Sequence, residues 1–390
     1  MHKIFYYLGL DKLGVVEFLF AITPIIGGYY FGNIPGLLVM SGVIFATIFF
    51  KYHTLRFKGY KPLTLFFIYW LVHSILISFV DDVNYYGIVE RVIMFLLFLS
   101  LLPVMDLLKL RGALNLVALI SIGGLLFQWI IIANGGQVHP IEIPGLTMSE
   151  YRLEGMSIRP SSFYMEPAAY ATSMLLPLLI AVLEKKYYWA TILILSTFLT
   201  TSTTGVVTVF LLLFCYVFTT KGRLKNRIGF VVLGAALIYS YVSFDVFSAG
   251  VEKIENTNLE TNVRLAQGTY VVSTMDKSDY ILGVPYYSAY NYCVKSHRAP
   301  KVIYYGESVY MSVFWNLILT LGVVGLLFYL NVYYKLFRKS KLIWPLLVCL
   351  VARIFSDPNE LSVGYYSAML IMLIVVEQHN KLITNENRTY

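Results

Sequence analysis

This 390-residue chain is poor in charge: acidic and basic side chains together make up 13% of it. A soluble domain commonly carries about twice that share. The chain therefore lacks the polar surface that would cover its own apolar core in water. Cysteine is nearly absent too. Of three, Cys215 and Cys349 fall inside apolar runs and only Cys293 lies in a polar segment, which excludes an intrachain disulfide framework. The sequence holds no Walker-type phosphate loop, no HExxH and no Cys/His metal spacing, so nucleotide hydrolysis and zinc chemistry are disfavoured and neither a metal nor a cofactor is expected. Asp81-Asp82 is only a weak metal signal. Acidic residues number 22 against 30 basic ones, a net charge of +8. No basic domain with interleaved aromatics accompanies that excess, which argues against nucleic acid as a partner.

What is present is apolar length, for 58% of the residues are hydrophobic. Apolar windows occupy residues 14–31, 35–50, 63–80, 87–105, 113–133, 167–183, 188–201, 205–220, 228–247, 308–332, 342–356 and 362–377. Many approach the ~20 residues that cross a bilayer core as a helix. The expectation is an all-α polytopic membrane protein of about twelve spans, residues 1–390 forming one integral membrane domain. The first span has no small-residue cleavage pattern after it and is expected to be retained. The windows 188–201 and 342–356 are short enough to be tilted or re-entrant.

The positive-inside rule orients these spans. With the N-terminus inside, Lys51, Arg56, Lys58 and Lys61 share one cytoplasmic loop, Lys221, Arg223, Lys225 and Arg227 a second, and Lys335, Arg338, Lys339 and Lys341 a third. Lys3, Lys12, Lys109, Arg111, Lys185, Lys186, Lys381 and Arg388 fall on the same side. Both termini are then cytoplasmic. Two outer segments exceed mere connections, residues 134–166 and 248–307, and loops of that length usually carry function. The second contains an amphipathic stretch over 262–275, with Val263, Ala266, Tyr270 and Thr274 on one face, which predicts a surface helix. The 32 tyrosines cluster at span ends, as in Tyr29-Tyr30, Tyr333-Tyr334 and Tyr365-Tyr366. They read as an interfacial belt, or, for the outer ones, as platforms on which sugar rings stack.

The outer charges that could carry chemistry follow from this layout. Arg152 and Arg159 precede Glu166-Pro167, and Pro167 suits the first turn of a helix whose free N–H groups would face the outer side beside Arg159. Arginine and a helix N-terminus both suit phosphate. Glu166 is a general base or a structural ion-pair partner. In the second loop Arg264 lies on the predicted surface helix, ahead of Gly283-Val284-Pro285 and of Lys295, His297, Arg298 and Lys301. His297 is a base candidate or incidental, and Glu307 is a second candidate carboxylate. Gly322 and Gly325 predict close helix packing, and Arg353 with Asp357 a structural ion pair at i, i+4.

Taken together, Arg159-Pro-Ser-Ser-Phe-Tyr164-Met-Glu166-Pro-Ala-Ala-Tyr170, the element Thr200-Thr-Ser202-Thr-Thr-Gly205, Arg264 before Gly283-Val284-Pro285, and Glu307-Ser-Val-Tyr310 resemble the O-antigen and exopolysaccharide polymerase family over most of residues 130–380. The resemblance implies an enzyme that joins oligosaccharide repeat units carried on undecaprenyl pyrophosphate, at the outer face of the bacterial cytoplasmic (inner) membrane. It implies no metal and no nucleotide sugar. Arg152, Arg159 and Arg264 would hold pyrophosphate, Glu166 or Glu307 would act as base, and Tyr164, Tyr286, Tyr305 and His297 would contact sugar. Partners would be lipid-linked glycans, membrane lipids, a flippase and a chain-length regulator. The related ligases usually carry a histidine near the start of the span at 308–332, where this chain has Tyr304, Tyr305 and Glu307. A flippase or other transporter is the rival class, and no internal repeat of the kind expected there is visible.

Overall fold

The computed structural model describes residues 2–78, 85–148, 159–219, 263–284, 311–356 and 361–386, with residues 239, 292, 304–305 and 308–309. It is mostly helical, and two helices are long and apolar enough to cross a membrane, Leu107–Ala133 and Val313–Lys339. In chain order the helices are α1 (His2–Leu8), α2 (Val15–Ile26), α3 (Gly36–Tyr52), α4 (Lys61–Ser78), α5 (Tyr85–Leu101), α6 (Leu107–Ala133), α7 (Pro167–Leu183), α8 (Tyr187–Leu199) and α9 (Thr203–Thr219). After them come α10 (Val263–Ser273), α11 (Lys277–Leu282), α12 (Val313–Lys339), α13 (Trp344–Arg353) and α14 (Val363–Glu386). Apart from Tyr239, the predicted span 228–247 lies outside the described residues.

Local chemistry sets several of these boundaries. Asp106 caps α6 by accepting from the N–H groups of Leu108 and Lys109, and Ser202 caps α9 by accepting from Gly205 N at 3.2 Å, each satisfying donors that a helix start leaves open. Pro167 occupies the first turn of α7. The window 308–332 is corrected by the structure, because Ser308–Val309 is a strand paired with Tyr304–Tyr305 and the helix starts at Val313. Hydropathy does not separate an apolar strand from the helix it leads into.

Packing follows the helical period. On α4 the side chains of Leu63, Phe66, Phe67 and Trp70 are buried, while Leu65, Ile68, Val72 and Leu76 on its other side are exposed. On α6, Ile120, Leu126, Phe127 and Ile130 are exposed. Helices that are apolar on both their buried and exposed sides suit a lipid surround.

The two ends of the bundle differ. At one end, Lys58 pairs with Glu377 at 2.9 Å, Gln378 accepts from Leu107 N and donates to Met105 O, and Arg111 of α6 is buried against Glu184, which Lys186 also approaches at 3.0 Å. At the other end lie the described parts of both long loops. A three-stranded sheet there joins β1 (Tyr29–Phe31), β2 (Ile34–Pro35) and β3 (Thr147–Met148) in the order β2-β1-β3, all antiparallel.

The tyrosine belt also needs correction. Adjacent residues on a helix point about 100° apart, and within one pair Tyr333 is buried while Tyr334 is exposed. Tyr365 and Tyr366 are both buried, Tyr329 and Tyr365 stacking at 5.6 Å. Tyr329, Tyr333, Tyr365 and Tyr366 build the core, while Tyr334 stays at its surface.

Candidate functional site

The first long loop is held onto the bundle by polar groups that lie in or beside apolar runs. Gln128 of α6, 1% exposed, accepts with its Oε1 from the N–H groups of Ser161 at 3.0 Å and Ser162 at 2.7 Å, and donates from Nε2 to His139 O at 2.6 Å. Tyr29 donates its hydroxyl to Ile141 O at 2.7 Å and Phe163 O at 3.0 Å. Burial, then the nearby Glu142 carboxylate, raise its pKa above the ordinary phenol value. Ser161 Oγ donates to Tyr164 O. The backbone turns sharply here, with Ser162 at φ +57°.

This anchoring delivers Arg159 to the turn between α8 and α9. Its Nη1 donates to Thr201 O at 3.3 Å, and its Nε is buried with no hydrogen-bond partner among the described residues. Thr201 is itself at φ +53°, a left-handed conformation uncommon outside glycine and costly for a β-branched residue. Its hydroxyl is also buried and has no hydrogen-bond partner among the described residues. The turn closes through Thr200, whose Oγ1 donates to Thr197 O. Glu166 stands at the head of α7 in extended conformation and its side chain does not cap that helix. α7 and α9 are in close contact, for a β-carbon on Gly205 would run into that of Ala171. Two helix N-termini, one guanidinium and one carboxylate therefore gather at the loop end of the bundle. Such an assembly can bind an anion and, through the carboxylate, take up a proton.

Of the residues expected from sequence, the structure brings Arg159 and Glu166 to this place. Tyr164 is 1% exposed and packs edge-on against Tyr170 at 5.4 Å. It offers no face to a sugar in this conformation, and its role is to wedge the loop into the core. Arg264 falls in the first turn of α10 and Tyr305 in the short strand Tyr304–Tyr305. Arg152, Tyr286, His297 and Glu307 lie outside the described residues.

Sequence reasoning missed Gln128 and the anchoring role of Tyr29, although a glutamine in an apolar run is itself a signal of buried polar bonding. It also misplaced the buried face of α10. Gly268 lies flat against Trp315, Val271 and Val272 are buried, and Tyr270 is 47% exposed. Gly322 is not a packing position within a continuous helix. At φ +65° and ψ −175° it breaks α12, and α11 docks into the break. Val284 N donates to Leu319 O at 2.7 Å, Tyr69 donates to Leu321 O at 3.0 Å, and His73 Nε2 donates to Leu282 O at 2.6 Å. Among the described residues no three His, Cys, Asp or Glu side chains come together as a metal site would require. Compared with models of known protein families and with curated proteins, the chain matches none.

Proposed function

We propose that this protein is a polymerase of undecaprenyl-pyrophosphate-linked oligosaccharide repeat units, acting at the outer face of the bacterial cytoplasmic membrane through about twelve spans with both termini inside. The observation that carries the reading is the seating of Arg159 on Thr201 O, in the turn that leads into α9, whose start packs against the first turns of α7 after Glu166. Exposed apolar helix sides and the gathering of both long loops at one end support the membrane placement.

In the proposed reaction an acceptor sugar hydroxyl attacks the anomeric carbon of the donor glycan. The new glycosidic bond forms as the bond from that carbon to the lipid pyrophosphate breaks, and the hydroxyl proton passes to a carboxylate. Glu166 is one candidate for that base and Glu307 the other. Charge grows on the departing pyrophosphate, where Arg159 and the oriented N–H groups would stabilise it. Arg152 and Arg264 would complete the cationic lining, and Tyr286, Tyr305 and His297 would meet the glycan. Neither metal nor cofactor is needed for this step.

The test is elongation by the purified protein in lipid nanodiscs supplied with a lipid-linked repeat unit, read as a ladder on a gel. Arg159→Ala and Arg264→Ala should each abolish the ladder with the protein still folded. Transbilayer movement of the lipid without any lengthening would instead establish a transporter.

A further inference from the structure

Arg353 reads from sequence as half of an ion pair with Asp357, and Asp357 lies outside the described residues. Its position in the fold gives it another place. Cys349 of α13 donates its thiol to Thr208 O of α9 at 3.0 Å, which sets the register of these two closely packed helices.

Their directions follow from other contacts. Trp344, at the start of α13, stacks on Phe337 at 4.2 Å, in the segment that carries Lys335, Arg338 and Lys339. The far end of α13 lies against the start of α12, where Phe314 N donates to Ile354 O at 3.0 Å. α13 therefore climbs toward the loop end, while α9 descends from it. One helical turn beyond Cys349 is Arg353, and one turn before Thr208 is Thr204, in the first turn of α9. Arg353 thus stands level with the turn on which Arg159 is seated, brought there by a different helix.

A third helix start joins them. Ser362 Oγ accepts from Tyr365 N at 3.3 Å at the head of α14, and Gly364 lies against Thr172 of α7. The heads of α9 and α14 therefore meet the second turn of α7. Two residues before α9 is Thr201, 5% exposed, whose hydroxyl has no hydrogen-bond partner among the described residues. A buried hydroxyl left open at a cluster of helix starts points to a ligand that completes it.

We propose that Arg353 is a further binding residue of this site and, together with Arg159, grips the pyrophosphate of a lipid-linked substrate around the first turn of α9. The proposal rests on the function inferred above only for the identity of the lipid. Two guanidinium groups on separate elements suit a diphosphate, whose two phosphoryl groups present more acceptor oxygens than a monophosphate.

The experiment measures binding of undecaprenyl pyrophosphate and of undecaprenyl monophosphate to the full-length protein in detergent, by change in tryptophan fluorescence. Wild type should prefer the pyrophosphate. Arg353→Gln should weaken pyrophosphate binding by tenfold or more, shrink that preference and leave the ligand-free melting temperature unchanged. Arg353→Lys keeps the charge and should fold even where Gln does not, yet it should still bind more weakly for want of the bidentate fork. Arg338→Gln, at the opposite end, should bind as wild type. Wild-type affinity in both Arg353 variants would overturn the proposal, as would a loss equal for both lipids. The polymerase reading fails separately, if wild type binds the pyrophosphate yet never lengthens a glycan.

Discussion

Gly283 and Gly322 meet backbone to backbone. A β-carbon on Gly283 would stand 2.6 Å from the Gly322 nitrogen, and one on Gly322 2.7 Å from the Gly283 nitrogen. Both residues hold positive φ, +83° and +65°. Gly283→Ala and Gly322→Ala should each cost about 1–3 kcal/mol from backbone strain alone, and more once the segments separate. Gly123→Ala on α6, where nothing lies within 4 Å, should be neutral or stabilising. Thermal unfolding in detergent ranks the three, and equal melting temperatures would refute the close approach.

Gln128→Leu should release the first long loop. It leaves two buried backbone donors, Ser161 N and Ser162 N, without their acceptor, at about 1–3 kcal/mol each. The expected result is faster protease cleavage within residues 134–166 while the rest of the chain stays protected. Gln128→Glu retains the acceptor and should cleave more slowly than Gln128→Leu. Wild-type cleavage rates in Gln128→Leu would show that the loop is held by other means.

The buried pair of Arg111 and Glu184 gives an asymmetric prediction. Glu184→Gln leaves Arg111 and Lys186 facing each other without their counter-charge, and should cost about 3–5 kcal/mol. Arg111→Met leaves Glu184 paired with Lys186 and should cost less. The double variant Arg111→Met with Glu184→Leu should recover much of the loss, since a dry apolar contact carries no desolvation penalty. A double-mutant cycle on melting temperature, closed with Glu184→Leu as the second single variant, measures the coupling, and simple additivity would refute it.

Alkaline pH should loosen the helix-end connections. Burial pushes the Tyr60 hydroxyl up to about 12 and raises that of Tyr29 also. A pKa raised by folding means that the folded state retains a proton the unfolded chain releases. The associated stability is fully present below the ordinary phenol pKa near 10 and is lost as pH climbs from there through the folded value. Tyr60→Phe should flatten the fall in melting temperature between pH 10 and 12. Tyr29→Phe should flatten it too, but from a lower start, because it also gives up two hydrogen bonds to the first loop.

Most of the helices were legible in the apolar windows, and Pro167 was read correctly as the first turn of α7. Position along the chain carries that much because lipid and core both demand apolar side chains. What packs against what was less legible. The buried face of α10 is led by Gly268, which scores as nothing on any hydropathy scale yet gives Trp315 a flat bed. Tyr164 read as a sugar platform because aromatic residues near a membrane surface serve both purposes, and burial decides between them. Arg159 beside the head of α7 could be proposed from sequence, but its seat on the carbonyl of Thr201 could not, since a backbone acceptor has no signature in the residue type.

The joint at Gly322 also bears on how the chain is made. The carbonyls of Leu319 and Leu321 accept hydrogen bonds from Val284 N and the Tyr69 hydroxyl, and both donors lie upstream of α12. A ribosome delivering this chain has finished α4 and α11 before α12 emerges, so each partner already exists when the broken helix enters its place. Permuting the gene so that α12 is translated ahead of α11 would leave those carbonyls waiting, and expression yield would report the delay.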